Sequence, residues 1–338
     1  MLNNLIKISR NQQMLHKVVI INGFPGCGKT MLSPIVSAFE HVEIMQYAMV
    51  IEQVCELKGL NRIDDDVVES MIRMNTDYLI YNVMMGRYSN CRPDDLSSIF
   101  RNNPLEHIRR MLGPGDENVL SVIQEKKPIL HLTTHMLLPY LKSLINALGE
   151  KLIFIEVIRH PLYVIIQQEK NFKMFEGSGN QHVRYTKNNK EYSFFTHGRE
   201  KEFDNSNSFE KAIQSIDWYY SNLLSEKRDE CIMLPFEKFV KQPEEYIELL
   251  SNQLEVPITN DVREEMFKQK VPREQLSDGP ALDIYKRCGW TPPSAFSEEG
   301  ELEARREIVA NNVSSEALAI LDDLSNKYEE YIKHSFPA

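Results

Sequence analysis

Eight residues constrain this chain more than any others. Gly23-Phe-Pro-Gly-Cys-Gly28-Lys29-Thr30 matches GxxxxGK[ST] in full. It follows the apolar run Val18–Ile21, which predicts a buried strand, and it opens a predicted helix. That is the strand–loop–helix context in which this motif cradles phosphate. The glycines let successive N–H groups turn into one concavity, and the helix beginning near Lys29 adds its positive end. Lys29 brings a mobile point charge and Thr30 a hydroxyl. Pro34 is expected near the first helical turn, where proline is tolerated. A phosphorylated nucleotide, or a ligand like it, is the expected occupant.

The rest of the chain alternates strands with helices. Pro128–Leu132 (PILHL), Leu152–Ile158 (LIFIEVI) and Cys231–Leu234 (CIML) read as buried strands, and Glu43–Tyr47 as a weaker one. A helix is expected over Leu137–Leu148, and a mostly helical insertion over about 48–123, broken near Pro93, Pro104 and Pro114. This alternation predicts an α/β fold: three αβα layers around a central, mainly parallel sheet. A long loop or lid is expected over about 177–207, and helix again over about 297–335. The motif positions favour one α/β domain spanning 1–338 over two in tandem.

Charge and cysteines exclude several classes. With 39 Lys+Arg against 49 Asp+Glu the formal charge is −10, which argues against a broad nucleic-acid-binding surface. Five widely spaced cysteines with no CxxC pair fit reduced thiols rather than a disulfide frame or a zinc site. No run approaches the ~18 apolar residues that cross a bilayer, and the first residues lack the apolar core of a secretory signal. A cytoplasmic protein without a transmembrane segment is the expectation.

The motif alone does not choose a reaction. Kinases and hydrolases that use ATP and Mg²⁺ place a carboxylate at the end of a second strand. PILHLTT carries none, CIMLPFE reaches Glu237 only after Pro235 and Phe236, and Glu156 lies in mid-strand. A kinase with Lys29 and Thr30 at phosphate and metal, completed by Glu156 or another acid, is the alternative reading. A nucleotide-gated regulatory protein without catalysis is a third.

Four segments, in order, carry a resemblance. Ile155–Gln168 (IEVIRHPLYVIIQQ) resembles the 3′-phosphate-binding segment of the sulfotransferases that use 3′-phosphoadenosine 5′-phosphosulfate (PAPS). Leu132–Leu141 (LTTHMLLPYL) is similar to that superfamily's K-T-H strand end. Asp217–Leu224 with Cys231–Val256 is similar to its helix, strand and YEDL-like segment, and Tyr285–Trp290 (YKRCGW) faintly resembles its basic C-terminal closure. Three positions depart from the pattern. Gly26 stands where the superfamily has lysine, Gln167 where it has serine, and Tyr163 where it has aspartate.

The resemblance implies PAPS as co-substrate, 3′-phosphoadenosine 5′-phosphate as product, and no required metal. It implies His135 as general base, since an imidazole titrates near neutrality; Lys29, from the loop motif, is expected to substitute as the catalytic cation for the lysine missing at Gly26. It further implies a nucleotide site of Gly23, Phe24, Pro25, Gly26, Cys27, Gly28, Lys29, Thr30, Arg159, Gln167, Phe236, Lys286 and Arg287. Of these, Phe236 is equally a candidate for stacking on adenine and for core packing. His131 is expected as a buried structural residue, His160 as a turn residue, and Trp218 and Tyr219 as packing residues. The acceptor, a small molecule or carbohydrate offering a hydroxyl or amine, is expected under 48–123 and 177–207.

Overall fold

A computed structural model describes residues 6–10, 13–113, 115–175, 182–224, 229–276, 279 and 297–336. The chain divides into two compact units. One comprises Met1–Asn22, Thr30–Ile155 and Glu248–Glu265; the other comprises Gly23–Lys29, Glu156–Ile247 and Met266–Ala338.

The apolar run at the start of the motif forms β1 (Lys17–Gly23), whose Val18–Ile21 are fully buried. Side chains buried on both faces are what a central strand of a covered parallel sheet requires. The motif follows, and α1 (Lys29–Ser37) carries the chain away. Pro34 falls in the second turn of α1 rather than the first. Its missing N–H leaves the Thr30 carbonyl without the usual intrahelical bond.

β2 is only Gln46–Tyr47, far shorter than the Glu43–Tyr47 expected. Val42 makes an isolated parallel bridge to Ile129, and the Glu43 N–H donates to the Ile129 carbonyl at 2.9 Å. Pairing therefore begins there, breaks, and resumes only at Gln46. The buried Glu43 carboxylate accepts from the Arg110 guanidinium at 2.7 and 2.9 Å. Next come α2 (Met49–Gly59), α3 (Asp65–Met84), α4 (Pro104–Leu112) and α5 (Val119–Lys126), the helical insertion. Pro104 takes the first position of α4, where its missing N–H costs nothing.

β3 (Ile129–Thr133) pairs in parallel with β1, Lys17 opposite Ile129 and Ile21 opposite Thr133, and in parallel with β2 on its other edge. Leu138–Tyr140, which contains Pro139, forms a 3₁₀ turn, so α6 (Leu141–Leu148) starts later than periodicity suggested. β4 (Leu152–Ile158) has the predicted bounds. After it come α7 (Pro161–Phe175), the antiparallel hairpin β5 (Arg184–Lys187) and β6 (Lys190–Ser193), α8 (Glu200–Asp204) and α9 (Ser208–Leu223). The stretch read as a long loop therefore carries, in its described part, a hairpin and a short helix. Cross-strand stacking of Tyr185 on Tyr192, 5.7 Å apart, holds the hairpin where no clean alternation announces it.

α9 begins with a full capping box. Asn207 accepts from the Phe209 and Glu210 N–H groups, and Glu210 reaches back to the Asn207 N–H. β7 (Ile232–Pro235) and α10 (Phe236–Lys241) close the sheet segment, and Glu298–Ala310 and Ser315–Ser335 are helices, as expected of the C-terminal stretch. The five long-range strands form one sheet in the order β2-β3-β1-β4-β7. The fold is thus the predicted α/β class, a central, mainly parallel sheet with flanking helices. Among the described residues no helix is long and apolar enough to cross a membrane.

His131, at the centre of β3, is the buried structural histidine the sequence suggested. It is fully buried and shares a 2.8 Å hydrogen bond with Ser37. Burial pushes its pKa down to about 3 from an ordinary value of 6.5. The native state thus holds the ring neutral, while the unfolded chain takes up a proton below about pH 6.5. Folding stability is expected to fall as pH drops from 6.5 toward 3. Urea unfolding at about pH 7.5 and about pH 5.5 measures this. The loss should be larger in the native chain than in His131→Asn, and equal losses would refute the assignment.

Candidate functional site

The motif loop lies in the second unit, and its glycines have reasons specific to this chain. Gly28 has φ +110°, and a Cβ there would sit 2.2 Å from the Phe236 ring. Gly26 has φ +88°, and a Cβ there would meet Gln167 Oε1 at 2.9 Å. Both positions combine a backbone that L-residues avoid with a neighbour pressed against them. The residues that press, Phe236 and Gln167, are two of those the sequence assigned to the nucleotide.

Lys29 is buried and folded back on its own loop. Its Nζ donates to the Gly23 carbonyl at 2.8 Å and the Phe24 carbonyl at 3.0 Å, with Cys27 Sγ at 3.7 Å. Burial raises the Cys27 thiol pKa, with Lys29 opposing, so this cysteine is a packing residue rather than a nucleophile. Phe24 packs against Tyr219 and Tyr220, at 5.7 and 6.2 Å between ring centroids, which fixes the loop's first turn.

Arg159 emerges where β4 ends. Its Nη1 donates to the Gly26 carbonyl at 3.0 Å. Its guanidinium carbon lies 4.3 Å from the centre of the Phe236 ring and 4.9 Å from that of Tyr163. Stacking on two rings holds the guanidinium plane in place. Among the described residues, its Nε is buried with no hydrogen-bond partner, and so is the Tyr163 hydroxyl. Buried polar groups of this kind are costly to leave unsatisfied.

Two further arginines extend this stack. Arg305 lies 4.8 Å from the Tyr163 ring and is paired with Glu301 at 2.7 Å; Arg273 lies 5.6 Å from the Phe236 ring. Sequence reading missed both, and no local pattern marks them. Below Arg159, the His160 N–H donates to Glu237 at 2.9 Å, and His160 Nδ1 accepts from the Leu162 N–H at 3.2 Å, capping the start of α7. That is the turn role expected of His160. Burial lowers its pKa, so the ring stays neutral and its Nε2 faces Glu329 at 3.3 Å. Tyr328 donates to the other oxygen of Glu237 at 2.7 Å.

The second unit therefore brings together the loop from Gly23 to Lys29, Arg159, Gln167 and Phe236. Thr30 is exposed and lies in the first unit. Lys286 and Arg287 lie outside the described residues. Glu156, the carboxylate of the kinase alternative, is fully buried and accepts a 2.5 Å hydrogen bond from the Tyr219 hydroxyl. Trp218 and Tyr219 belong to a cluster of stacked rings with Phe194 and Phe195, as expected of packing residues.

His135 lies in the first unit, just past the end of β3. The Thr134 hydroxyl donates to Asn22 Oδ1 at 2.9 Å, and the Leu137 N–H donates to the same atom at 3.0 Å, fixing the turn around it. Glu52 of α2, fully buried, accepts from the His135 backbone N–H at 2.8 Å and lies 3.2 Å from its Nδ1. A carboxylate at Nδ1 sets the ring's orientation and favours the tautomer whose Nε2 accepts a proton. Its side chain is 29% exposed, so solvent reaches it. Glu52 escaped sequence reading because it sits in an ordinary amphipathic helix; the hint was a carboxylate among apolar residues in MVIEQVCEL.

No family model matches the chain, and no curated protein matches it in sequence. Its fold is similar to solved sulfotransferases. One is the sulfotransferase domain from the curacin biosynthetic pathway, 13% identical with a TM-score of 0.43, covering 88% of this chain and 99% of that one. Another is the sulfotransferase domain of the Synechococcus PCC 7002 olefin synthase, 12% identical with a TM-score of 0.40 over 90% and 98%. A third is sulfotransferase STF9 from Mycobacterium avium, 10% identical with a TM-score of 0.40 over 96% and 78%.

Proposed function

We propose that this chain is a PAPS-dependent sulfotransferase that moves a sulfuryl group to a hydroxyl or amine of a small-molecule or carbohydrate acceptor. One observation carries the reading. A guanidinium set over two rings touches the GxxxxGKT loop at Gly26, and its buried Nε has no partner among the described residues. This supports a ligand with two separate anionic groups, one on the loop and one at Arg159, as a 3′,5′-bisphosphate has. A kinase nucleotide carries its phosphates in one chain, and the carboxylate that reading needs is sealed against Tyr219.

In this proposal the loop N–H groups and Lys29 hold the 5′ phosphate side, and Arg159 with Gln167 holds the 3′ phosphate. Bound PAPS supplies the sulfuryl group and its phosphate leaving group. Lys29 leaves the Gly23 and Phe24 carbonyls and stabilises charge on the departing phosphate oxygens. His135, oriented by Glu52, takes the acceptor's proton at Nε2. Phe236, Lys286 and Arg287 are assigned to the nucleotide by resemblance alone; Phe236 already carries the Arg159 and Arg273 guanidinium groups. The proposal treats 1–338 as one transferase domain acting in the cytoplasm, without need of a metal.

Calorimetry tests it directly. The protein is titrated with 3′-phosphoadenosine 5′-phosphate and with ATP, each with and without Mg²⁺. Binding of the bisphosphate in the micromolar range without metal is the expected result. Metal-dependent binding of ATP, with no response to the bisphosphate, would overturn the reading.

A further inference from the structure

Arg159 is held by its backbone as well as by the rings under its side chain. The peptide group that joins it to His160 is bonded at both polar atoms. The Arg159 carbonyl accepts from the Tyr220 hydroxyl of α9, and the His160 N–H donates to Glu237 Oε1 at 2.9 Å. The other carboxylate oxygen, Glu237 Oε2, accepts at 2.7 Å from the hydroxyl of Tyr328, which belongs to the helix Ser315–Ser335. The Tyr220 and Tyr328 rings pack 6.4 Å apart between centroids. Residues of three helices remote in sequence thus converge on one peptide bond.

That peptide lies just past the end of β4, before α7 starts at Pro161. A peptide plane turns by paired changes in the dihedrals on either side of it, and such a turn redirects the neighbouring side chain. Two of the pinning residues also serve the site in a second way. Tyr220 sets its ring 6.2 Å from that of Phe24 in the loop. Glu237 directly follows Phe236, the ring 4.3 Å from the Arg159 guanidinium, so the start of α10 fixes both the backbone and the side chain of Arg159. Charge alone gives Glu237 the opposite role. A carboxylate beside an anion site repels the ligand, and its removal would tighten binding. We propose that Glu237, together with Tyr220, is a positioning residue for Arg159, and that the pinned peptide sets the preference for a nucleotide carrying a 3′ anion over one without it. The inference rests on the assignment of Arg159 to the 3′ phosphate.

Calorimetry on the full chain compares 3′-phosphoadenosine 5′-phosphate with adenosine 5′-phosphate. Glu237→Ala and Tyr220→Phe should each weaken the bisphosphate by roughly threefold to tenfold, the net contribution of a hydrogen bond, and leave the monophosphate within about twofold. Glu237→Gln keeps an acceptor for the His160 N–H, and its amide can donate to the Tyr328 hydroxyl. It should restore most of the affinity. In an Arg159→Ala chain, Glu237→Ala should cost nothing further, because a residue that acts through another is not additive with it. Tighter bisphosphate binding by Glu237→Ala would assign the carboxylate to charge and overturn the proposal. Additive losses in the double variant would overturn it as well, as would equal losses for the two nucleotides. Native protein that ignores the bisphosphate would overturn the proposed function, and this inference with it. Circular dichroism checks the fold. Should Glu237→Ala fail to fold, Tyr220→Phe, which deletes a single oxygen, decides by the same ratio of the two affinities.

Discussion

Replacing Arg159 with alanine is expected to weaken 3′-phosphoadenosine 5′-phosphate binding by roughly tenfold to a hundredfold, the range for hydrogen bonds to a charged group. The expectation rests on geometry. The guanidinium is stacked on Phe236 and Tyr163 and hydrogen-bonded to Gly26, so it is already oriented before a ligand arrives. Arg159→Lys separates charge from shape. It keeps a cation but loses the plane that stacks and the fork that grips two oxygens, so it should recover only part of the affinity. Binding of adenosine 5′-phosphate, which lacks the 3′ group, should change little in either variant. If the bisphosphate binds Arg159→Ala within about twofold of the native affinity, a separation of well under 1 kcal/mol, the second anion site is wrongly placed.

The second large effect concerns turnover. His135→Ala is expected to lower kcat by roughly a hundredfold to ten-thousandfold, the usual worth of a positioned general base. Nucleotide affinity, read by the same calorimetry, should stay within about twofold, because the imidazole is assigned to the acceptor's proton and not to phosphate. Glu52→Gln makes the argument specific. It preserves the size of the side chain while removing the carboxylate that orients Nδ1. A smaller loss of kcat with intact nucleotide binding is expected there. If His135→Ala loses nucleotide affinity and kcat in equal measure, the residue is structural, and the base must be sought elsewhere.

The parts of this molecule that were legible in the sequence are those whose determinants lie close together in it. The GxxxxGKT loop is contiguous, and its strand and helix neighbours announce themselves by apolar runs. Arg159 and Gln167 are eight positions apart, joined by the first turns of α7, so a short pattern suffices to pair them. The stack beyond them was not legible. Arg305 on Tyr163 and Arg273 on Phe236 come from helices and turns remote in sequence, and only packing brings them near. Glu52 was hidden for a related reason: a buried carboxylate in an amphipathic helix looks like a surface residue until its partner is known. β2 is short because its pairing breaks after the Val42–Ile129 bridge and resumes only at Gln46, an interruption that local periodicity does not register. The hairpin over 184–193 was masked by Lys187, Lys190 and Glu191 on its exposed side, which left too few apolar positions to show a period of two.

The folded-back Lys29 changes how ligand affinity should be understood. Its ammonium is already shared by the Gly23 and Phe24 carbonyls, so in the proposed function an arriving phosphate would compete with the protein's own main chain for one cation. Binding is then a swap of partners rather than the capture of a free charge. The measured affinity reports only the difference between the two arrangements, and the two vacated carbonyls must be hydrated or rehydrogen-bonded as part of the event. The loop in effect carries an internal competitor whose concentration never varies. Such a site discriminates by the quality of the incoming anion more than by its amount. A single weak anion displaces little, whereas a ligand anchored at the same time through Arg159 holds the swapped state.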